Sequence, residues 1–538
     1  MHPLPYPSWL NPGDNTWQLV TATLVGLMSL PGIAVLYGGL VQKKWAVNTM
    51  LMAFTAFSIV LIIWVLWAFN MGFGHPLGGG GGTGIVGFFH NLWGVPHPIT
   101  SHFGEQNQAV LPEGTSIPFH FPTATFAYFQ LVFAAITPLL FLGSVLGRMK
   151  FKAWLLFVPL WVTFVYTINA FLLWGGGWWA HKGAVDYSGG YVIHLAAGVT
   201  GFVAAAVIGP RLSRDRFHGV PNNLPMVMVG AGVLWLGWNG FNGGDPFYAG
   251  VDAAAAVLNT NLATAAAAMT WVFMDMVFSK QRKPTLLGGI NGMIVGLVCI
   301  TPGAGWVNGY GALLEGLIAS AAVWVAWNYL PKVRPFSKVD DALGVVYTHG
   351  IAGLLGGLLV GLFADPGMTE YGVSGKNFAG PGSFSVHGLF YGGGWGQLGW
   401  QAAAGLWVIC FTAAGTFVLL KITGWITGGL REDLDSLELG DLALHDEEAY
   451  PADRFAERVG AGVPSAFAMA GIAVGEASPP TSVGAPPADF PAEPAPARRL
   501  DGSGSSPFPP PPGAPAPAPA DPVPPLTSRA DPEPLGDR

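Results

Sequence analysis

The sequence predicts an all-α polytopic membrane protein with eleven transmembrane helices, arranged as an inverted five-helix repeat plus a final helix. Three observations predict it. Of 538 residues, 51% are hydrophobic and only 10% charged, with a mean hydropathy of +0.45; a soluble chain of average make-up carries about twice that charge. Reading the apolar content as one water-soluble core fails, because soluble domains stop growing near ~250–300 residues and divide. Eleven apolar stretches reach or approach the ~20 residues that a span requires. Lysine and arginine fall in alternate connections between them.

The stretches run approximately over 17–39, 46–70, 123–146, 153–174, 190–209, 225–242, 253–278, 286–301, 306–329, 341–363 and 397–421, and those at 225–242 and 286–301 are the shortest fits. The first sixteen residues carry no positive charge and no apolar run, so no signal peptide is expected. Sixteen Lys and Arg, from Lys43 to Arg431, lie on one side of the spans, against Lys182 and Lys376 on the other. Positive charge is retained in cytoplasmic loops. The N-terminus is therefore expected outside and the C-terminus in the cytoplasm of a multi-pass cell-membrane protein, which requires an odd number of spans.

Three regions follow: a transmembrane domain over 1–430, a cytoplasmic segment over 431–450 and a tail over 451–538. The tail holds 22 of the 45 prolines and cannot build a core, so disorder is expected there. The 431–450 segment is acidic, and reads equally as a solvated connector or as a docking site for a soluble partner. Net charge −7 without a basic cluster gives nucleic acid no footprint. Cys299 and Cys410, both in apolar runs, suggest neither a disulfide framework nor a metal site. The Gly-rich 74–122 connection carries His75, His90, His97, His102 and His120, whose spacing matches no compact ligand pattern. No metal site and no cofactor are expected.

The chemistry concentrates in a repeat. Asp186 precedes His194 by eight residues and Asp341 precedes His349 by eight, with Gly198 and Gly201, then Gly353 and Gly356, at His+4 and His+7. Small residues at such positions let helices approach closely. One helix enters from outside and the other from inside, so the repeat is inverted, the arrangement in which transporters keep their pathway at the repeat interface. At ~1.5 Å per residue each histidine lies about 12 Å from its aspartate, near mid-bilayer from opposite faces. Ionisable residues at that depth mark pathways by default. A hydrogen-bonded core role is the plain alternative, and a haem held between two imidazoles is another. No HExxH, no mid-span lysine and no phosphate-binding glycine loop occurs, which removes a zinc protease, a Schiff base and ATP-driven transport by this chain alone.

Phe129, Gln130 and Phe133 lie in the third stretch, Trp174 ends the fourth, and Trp238 and Phe241 close the sixth, the last three reading as outward. Such aromatics serve as interfacial belts. Faces of Phe and Trp beside a pathway mouth also hold a small cation, at ~0.5–2 kcal/mol per contact, and Asp245 in GFNGGDP adds a negative charge.

These motifs resemble the ammonium transporter family (Amt, Mep and, more distantly, Rh), in its bacterial Amt-type form, from about Thr16 to Tyr450. The resemblance rests on PGIAVLYGGLV (Pro31 to Val41), FQLVFA (Phe129 to Ala134), WGGGWWAHKGAVDYSGG (Trp174 to Gly190), GWNGFNGG (Gly237 to Gly244), LNTNLATA (Leu258 to Ala265) and DDALGVVYTHG (Asp340 to Gly350). It implies an external ammonium site at Trp174, a gate of Phe133 stacked on Phe241, and pore histidines His194 and His349; the aromatic and charge reading adds Phe133, Trp238 and Asp245 to the ammonium site. Asp186 and, by the repeat, Asp341 are expected as structural support. A homotrimer with one pore per subunit is implied by resemblance alone. Three departures are visible: Asp245 stands where many members have serine, Gly344 replaces an aspartate common five residues before the second histidine, and Gly440 to His445 resembles the tail that answers PII-family signal proteins but is one residue short.

An ion dehydrated in an apolar pore faces a far larger cost than neutral ammonia. The expected function is thus an ammonium transporter, not an enzyme, that binds ammonium outside, deprotonates it and conducts ammonia past the histidines. Net uptake is expected to be electrogenic, and methylammonium is a possible second substrate. The alternatives are an ammonium sensor acting through a soluble partner and a haem-binding electron-transfer protein.

Overall fold

The computed structural model describes residues 7–79, 84–111, 117–217, 219–369 and 386–450, all within one compact unit, Met1–Gly462. The expected tail over 451–538 lies outside the described residues. Among the described residues, ten apolar helices are long enough to cross a membrane: α1 (Pro12–Leu40), α2 (Lys43–Phe73), α3 (Thr123–Val145), α4 (Phe151–His181, broken at 174–177), α5 (Gly190–Ile208), α6 (Leu224–Gly243), α7 (Val251–Phe278), α9 (Gly309–Lys332), α10 (Val346–Phe363) and α11 (Gly396–Thr427). The eleventh expected span is a shorter helix, α8 (Leu286–Ile300). Its 15 residues rise about 22 Å, short of the ~30 Å hydrocarbon thickness. The turn after it, Thr301–Val307, is buried within the protein except at half-buried Trp306, the setting in which irregular backbone is tolerated in a membrane.

Helix starts follow local chemistry. Asn11 accepts from Gly13 and Asp14 N–H ahead of Pro12, Asn223 from Met226, Thr285 from Gly288, and Asn308 from Tyr310 and Gly311, each relieving donors that a first turn leaves orphaned. Gly209 and Gly428 stop α5 and α11 at φ +90° and +67°. Helix α3 is buried along almost its whole length, whereas most residues of α7 are half-buried or exposed. Helix α1 packs on α6, α7 on α8 and α9, and α5 on α3, α10 and α11.

The 74–122 connection is more ordered than a Gly-rich loop suggests. It holds short helices at Gly84–His90 and His102–Gln106 and an antiparallel hairpin, β1 (Gln108–Leu111) with β2 (Ile117–Pro122). Phe119 and Phe121 turn inward, their rings stacked at 5.3 Å, so the alternation along IPFHFP drives the strand. His120 on the outer side pairs with Asp14 at 3.1 Å.

At the opposite, basic face, buried Arg148 donates to the carbonyls of Ser144, Leu146, Gly209 and Asp340, tying the end of α3 to that of α5 and to the approach to α10. Two short helices, α12 (Leu434–Leu439) and α13 (Asp441–His445), lie against this face. The Asp441 carboxylate accepts from Val47 and Asn48 N–H, both at 2.8 Å, in the first turns of α2, and Arg214 pairs with Glu438 at 2.6 Å.

Candidate functional site

Two half-sites of matching design build the centre of the molecule. At the start of α5 the Asp186 carboxylate accepts from Gly189, Tyr191 and Val192 N–H at 3.2, 3.0 and 2.9 Å. At the start of α10 the Asp341 carboxylate accepts from Val346 N–H at 2.8 Å. Three residues after each aspartate comes a glycine in the left-handed region, Gly189 at φ +114° and Gly344 at φ +72°. Only glycine enters that region without strain. Each histidine then lies on a π-helical turn, Gly190–Leu195 and Val346–Ile351, the wide turn that recurs at functional sites.

Gly344 therefore answers to Gly189 rather than to a missing acid. The Trp327 ring occupies the space that a side chain at 344 would take.

The histidines meet. His194 and His349 Nδ1 are 3.3 Å apart with ring centroids at 5.4 Å, and both rings are buried. The approach depends on the glycines: a methyl on Gly198 would overlap Gly350, and one on Gly353 would sit 2.5 Å from the Gly190 carbonyl oxygen. Two nitrogens at 3.3 Å share one proton, one donating and the other accepting. An iron ligated by both would need them ~4 Å apart, with each bond near ~2 Å, so the pair does not fit a haem.

Above His194 runs a column of aromatic rings. Phe241 lies 5.8 Å from His194, and Phe133 stacks on Phe241 at 4.3 Å and 27°. Trp174 meets Phe133 edge-on at 6.3 Å and 86°, while its Nε1–H donates to the Asp186 carbonyl at 2.6 Å. Phe129 flanks Phe133 at 4.8 Å.

Trp238 is not part of the mouth, where its place near the end of α6 put it. It stacks on His194 at 5.2 Å and 19°, fully buried, one helical turn below Phe241. The correction follows from helix geometry: residues three apart share a face but differ in depth by ~4.5 Å. Its Nε1–H donates to Thr301 Oγ1 at 2.9 Å. Thr301 and Pro302 escaped the sequence reading, although a hydroxyl followed by proline at the end of an apolar stretch marks where a helix stops. Thr301 O accepts from Ser188 and Pro302 O from Tyr187, both at 3.1 Å, so this turn braces the Asp186 loop as well.

Asp245 lies in the connection from α6 to α7, partly exposed, with one carboxylate oxygen buried without a hydrogen-bond donor among the described residues. Burial pushes its carboxyl well above the ordinary range, Ser188 opposes this and the Asp186 charge adds to it. Burial likewise pushes Asp186 up to about 6 against its backbone donors. Among the described residues no three His, Cys, Asp or Glu side chains group to hold a metal.

Comparison with known proteins gives one answer. Residues 16–450 match the Ammonium Transporter Family. Ammonium transporter 3 member 2 of Oryza sativa subsp. japonica is 48% identical, covering 82% of this chain and 90% of that one. Ammonium transporter 2 of Arabidopsis thaliana is 44% identical, with 82% and 89% coverage. Among solved structures, Mep2 of Saccharomyces cerevisiae superposes with a TM-score of 0.65 at 29% identity, covering 79% of this chain and 91% of that one. Mep2 of Candida albicans gives 0.66 at 26%, covering 84% and 92%. The chain belongs to the ammonium transporter family.

Proposed function

We propose that this multi-pass membrane protein carries ammonium inward by binding it at the mouth, removing its proton and conducting ammonia past the histidine pair. Its relatives are transporters, and it is not an enzyme. The observation that carries the reading is the single file of rings from Trp174 through Phe133 and Phe241 to His194 and His349.

Trp174 and Phe133 offer aromatic faces to a small cation, and Asp245 adds charge where it is ionised. The gate excludes water: two rings stacked at 4.3 Å leave no room for a hydrated ion. Beyond it stand the buried rings of His194, Trp238 and His349, so a cation loses its solvation while ammonia loses only hydrogen bonds. Deprotonation before the gate is the step that lets the substrate pass. The histidines offer a donor and an acceptor in line, and Trp238, anchored on Thr301, holds the His194 ring flat against the path.

The proton follows by a separate route, which makes transport electrogenic. The basic face is cytoplasmic, by the distribution of Lys and Arg, so the N-terminus is outside and the membrane is that of the cell. The protein works as a homotrimer, whose contacts suit the exposed apolar surface of α7, and a PII-family protein is the partner that the α12–α13 segment suits. Methylammonium, one methyl larger, is a second substrate.

The test is ammonium-evoked current in proteoliposomes, comparing wild type with His194→Ala and His349→Ala. Current in wild type that both variants alter supports the mechanism. Uptake without current removes the electrogenic step, and wild-type current in both variants removes the histidines from the path.

A further inference from the structure

Glu315 stands apart from everything above. It lies on α9 six residues past Gly309, about 9 Å along the helix, and is wholly buried. Neither carboxyl oxygen has a hydrogen-bond partner among the described residues. The main chain at Gly303 and the thiol of Cys299 stand near it. A methyl placed on Gly303 would lie 3.3 Å from Glu315 Oε1, 2.9 Å from Val360 Cγ2 and 3.5 Å from Val307 Cγ1, so the carboxyl is lodged against the bare main chain of the turn after α8. On its other flank the α9 backbone at Gly316 touches the α7 backbone at Ala263, and Cys299 Sγ approaches the Glu315 carbonyl at 3.7 Å.

We propose that Glu315 is a proton-binding site inside the membrane domain, holding its proton as an uncharged carboxylic acid. A bare carboxylate with no donor and no counter-charge is the costliest group a span can hold. The ligand that removes that charge is either a proton or a metal cation. A hard cation gathers several oxygens, and among the described residues no three His, Cys, Asp or Glu side chains group around Glu315 to hold one. A proton needs no such cage.

The site lies behind the pore. The turn that Glu315 backs, Thr301–Gly303, receives Trp238 through Thr301 and the Asp186 loop through Thr301 O and Pro302 O. Gly303 is the residue between that pore-facing surface and the acid. The neutral acid lets the turn close on it without hydration. A charge there would draw water to the turn that anchors Trp238. Glu315 is thus a positioning group, and no hydrogen bond joins it to the histidines among the described residues.

The test is infrared spectroscopy of the purified full chain at pH 8, wild type minus Glu315→Gln, with Glu315→Met as a second neutral variant. The expected result is a carboxylic-acid carbonyl band present in wild type, lost in both variants and unchanged by added sodium or potassium chloride, with equal ammonium uptake in Glu315→Gln. Carboxylate bands in place of the acid band, or an acid band that salt abolishes, would overturn the proposal. So would a large fall in uptake in Glu315→Gln, and so would failure of both neutral variants to fold while Glu315→Asp folds.

Discussion

Gly344→Ala tests the half-site design, because the structure separates its cost into two parts. At φ +72° a Cβ strains the backbone by about 1–2 kcal/mol. It would also lie 2.5 Å from Trp327 Cη2 and closer still to Cζ3 of the same ring. Trp327 has little freedom to yield, held between Trp271 at 6.2 Å and Tyr347 at 5.6 Å, and overpacking of this kind costs a further ~1–3 kcal/mol. The sum is about 2–5 kcal/mol, or a fall in thermal midpoint of roughly 4–10 °C at about 2 °C per kcal/mol. Gly392 provides the control: it has φ +84° with nothing within 4 Å of an added Cβ, so Gly392→Ala carries the backbone part alone. The assay is thermal unfolding of the detergent-solubilised variants at one scan rate, with Gly344→Ala/Trp327→Leu to relieve the clash and close the double-mutant cycle. If Gly344→Ala is no less stable than Gly392→Ala, or the Trp327 change rescues nothing, the reasoning is wrong.

Three further outcomes are expected. Thr301→Val leaves the buried Trp238 Nε1–H unpaired, which costs about 1–3 kcal/mol and slows uptake as Trp238 leaves the face of His194; a variant with wild-type uptake and midpoint would show that the anchor is idle. Phe133→Ala opens the stacked pair and admits water, so potassium ions should leak through liposomes that exclude them with wild type, and a tight variant would mean the gate lies elsewhere. Burial would push Asp340 up, but hydrogen bonds from Arg211 and the charges of Arg211 and Arg148 outweigh it and hold the carboxyl at about 2, below its ordinary 3.8. A lowered carboxylate stabilises the fold above its unfolded value and loses that contribution as pH falls through the folded one. Wild type should therefore exceed Arg211→Gln in stability at pH 6, and the gap should close as pH falls from about 4 to about 2; a gap independent of pH would refute the ion pair's role.

Much of this protein was legible before any coordinate. Apolar length is a local property, and ten of eleven spans are long helices at the expected positions. The exception is instructive: α8 reads as a weak span because it is one, and its missing turn is made inside the protein by Thr301–Val307. The repeat of Asp, His and two glycines was visible because it is a fixed spacing, and the family followed from several motifs in order.

The sequence by itself determined a polytopic helical membrane protein of the ammonium transporter family, since burial in lipid forces length and polarity onto each segment separately. Tertiary structure alone decided what touches what. Trp238 and Phe241 share a helix face, yet one stacks on His194 and the other on Phe133. Thr301 became the hydrogen-bond acceptor of Trp238, 63 residues away, Gly344 acquired a reason in Trp327, and Glu315 proved to be an acid without a donor among the described residues. Each depends on side chains meeting across helices far apart in the chain, and depth, facing and partner are fixed only when those helices pack.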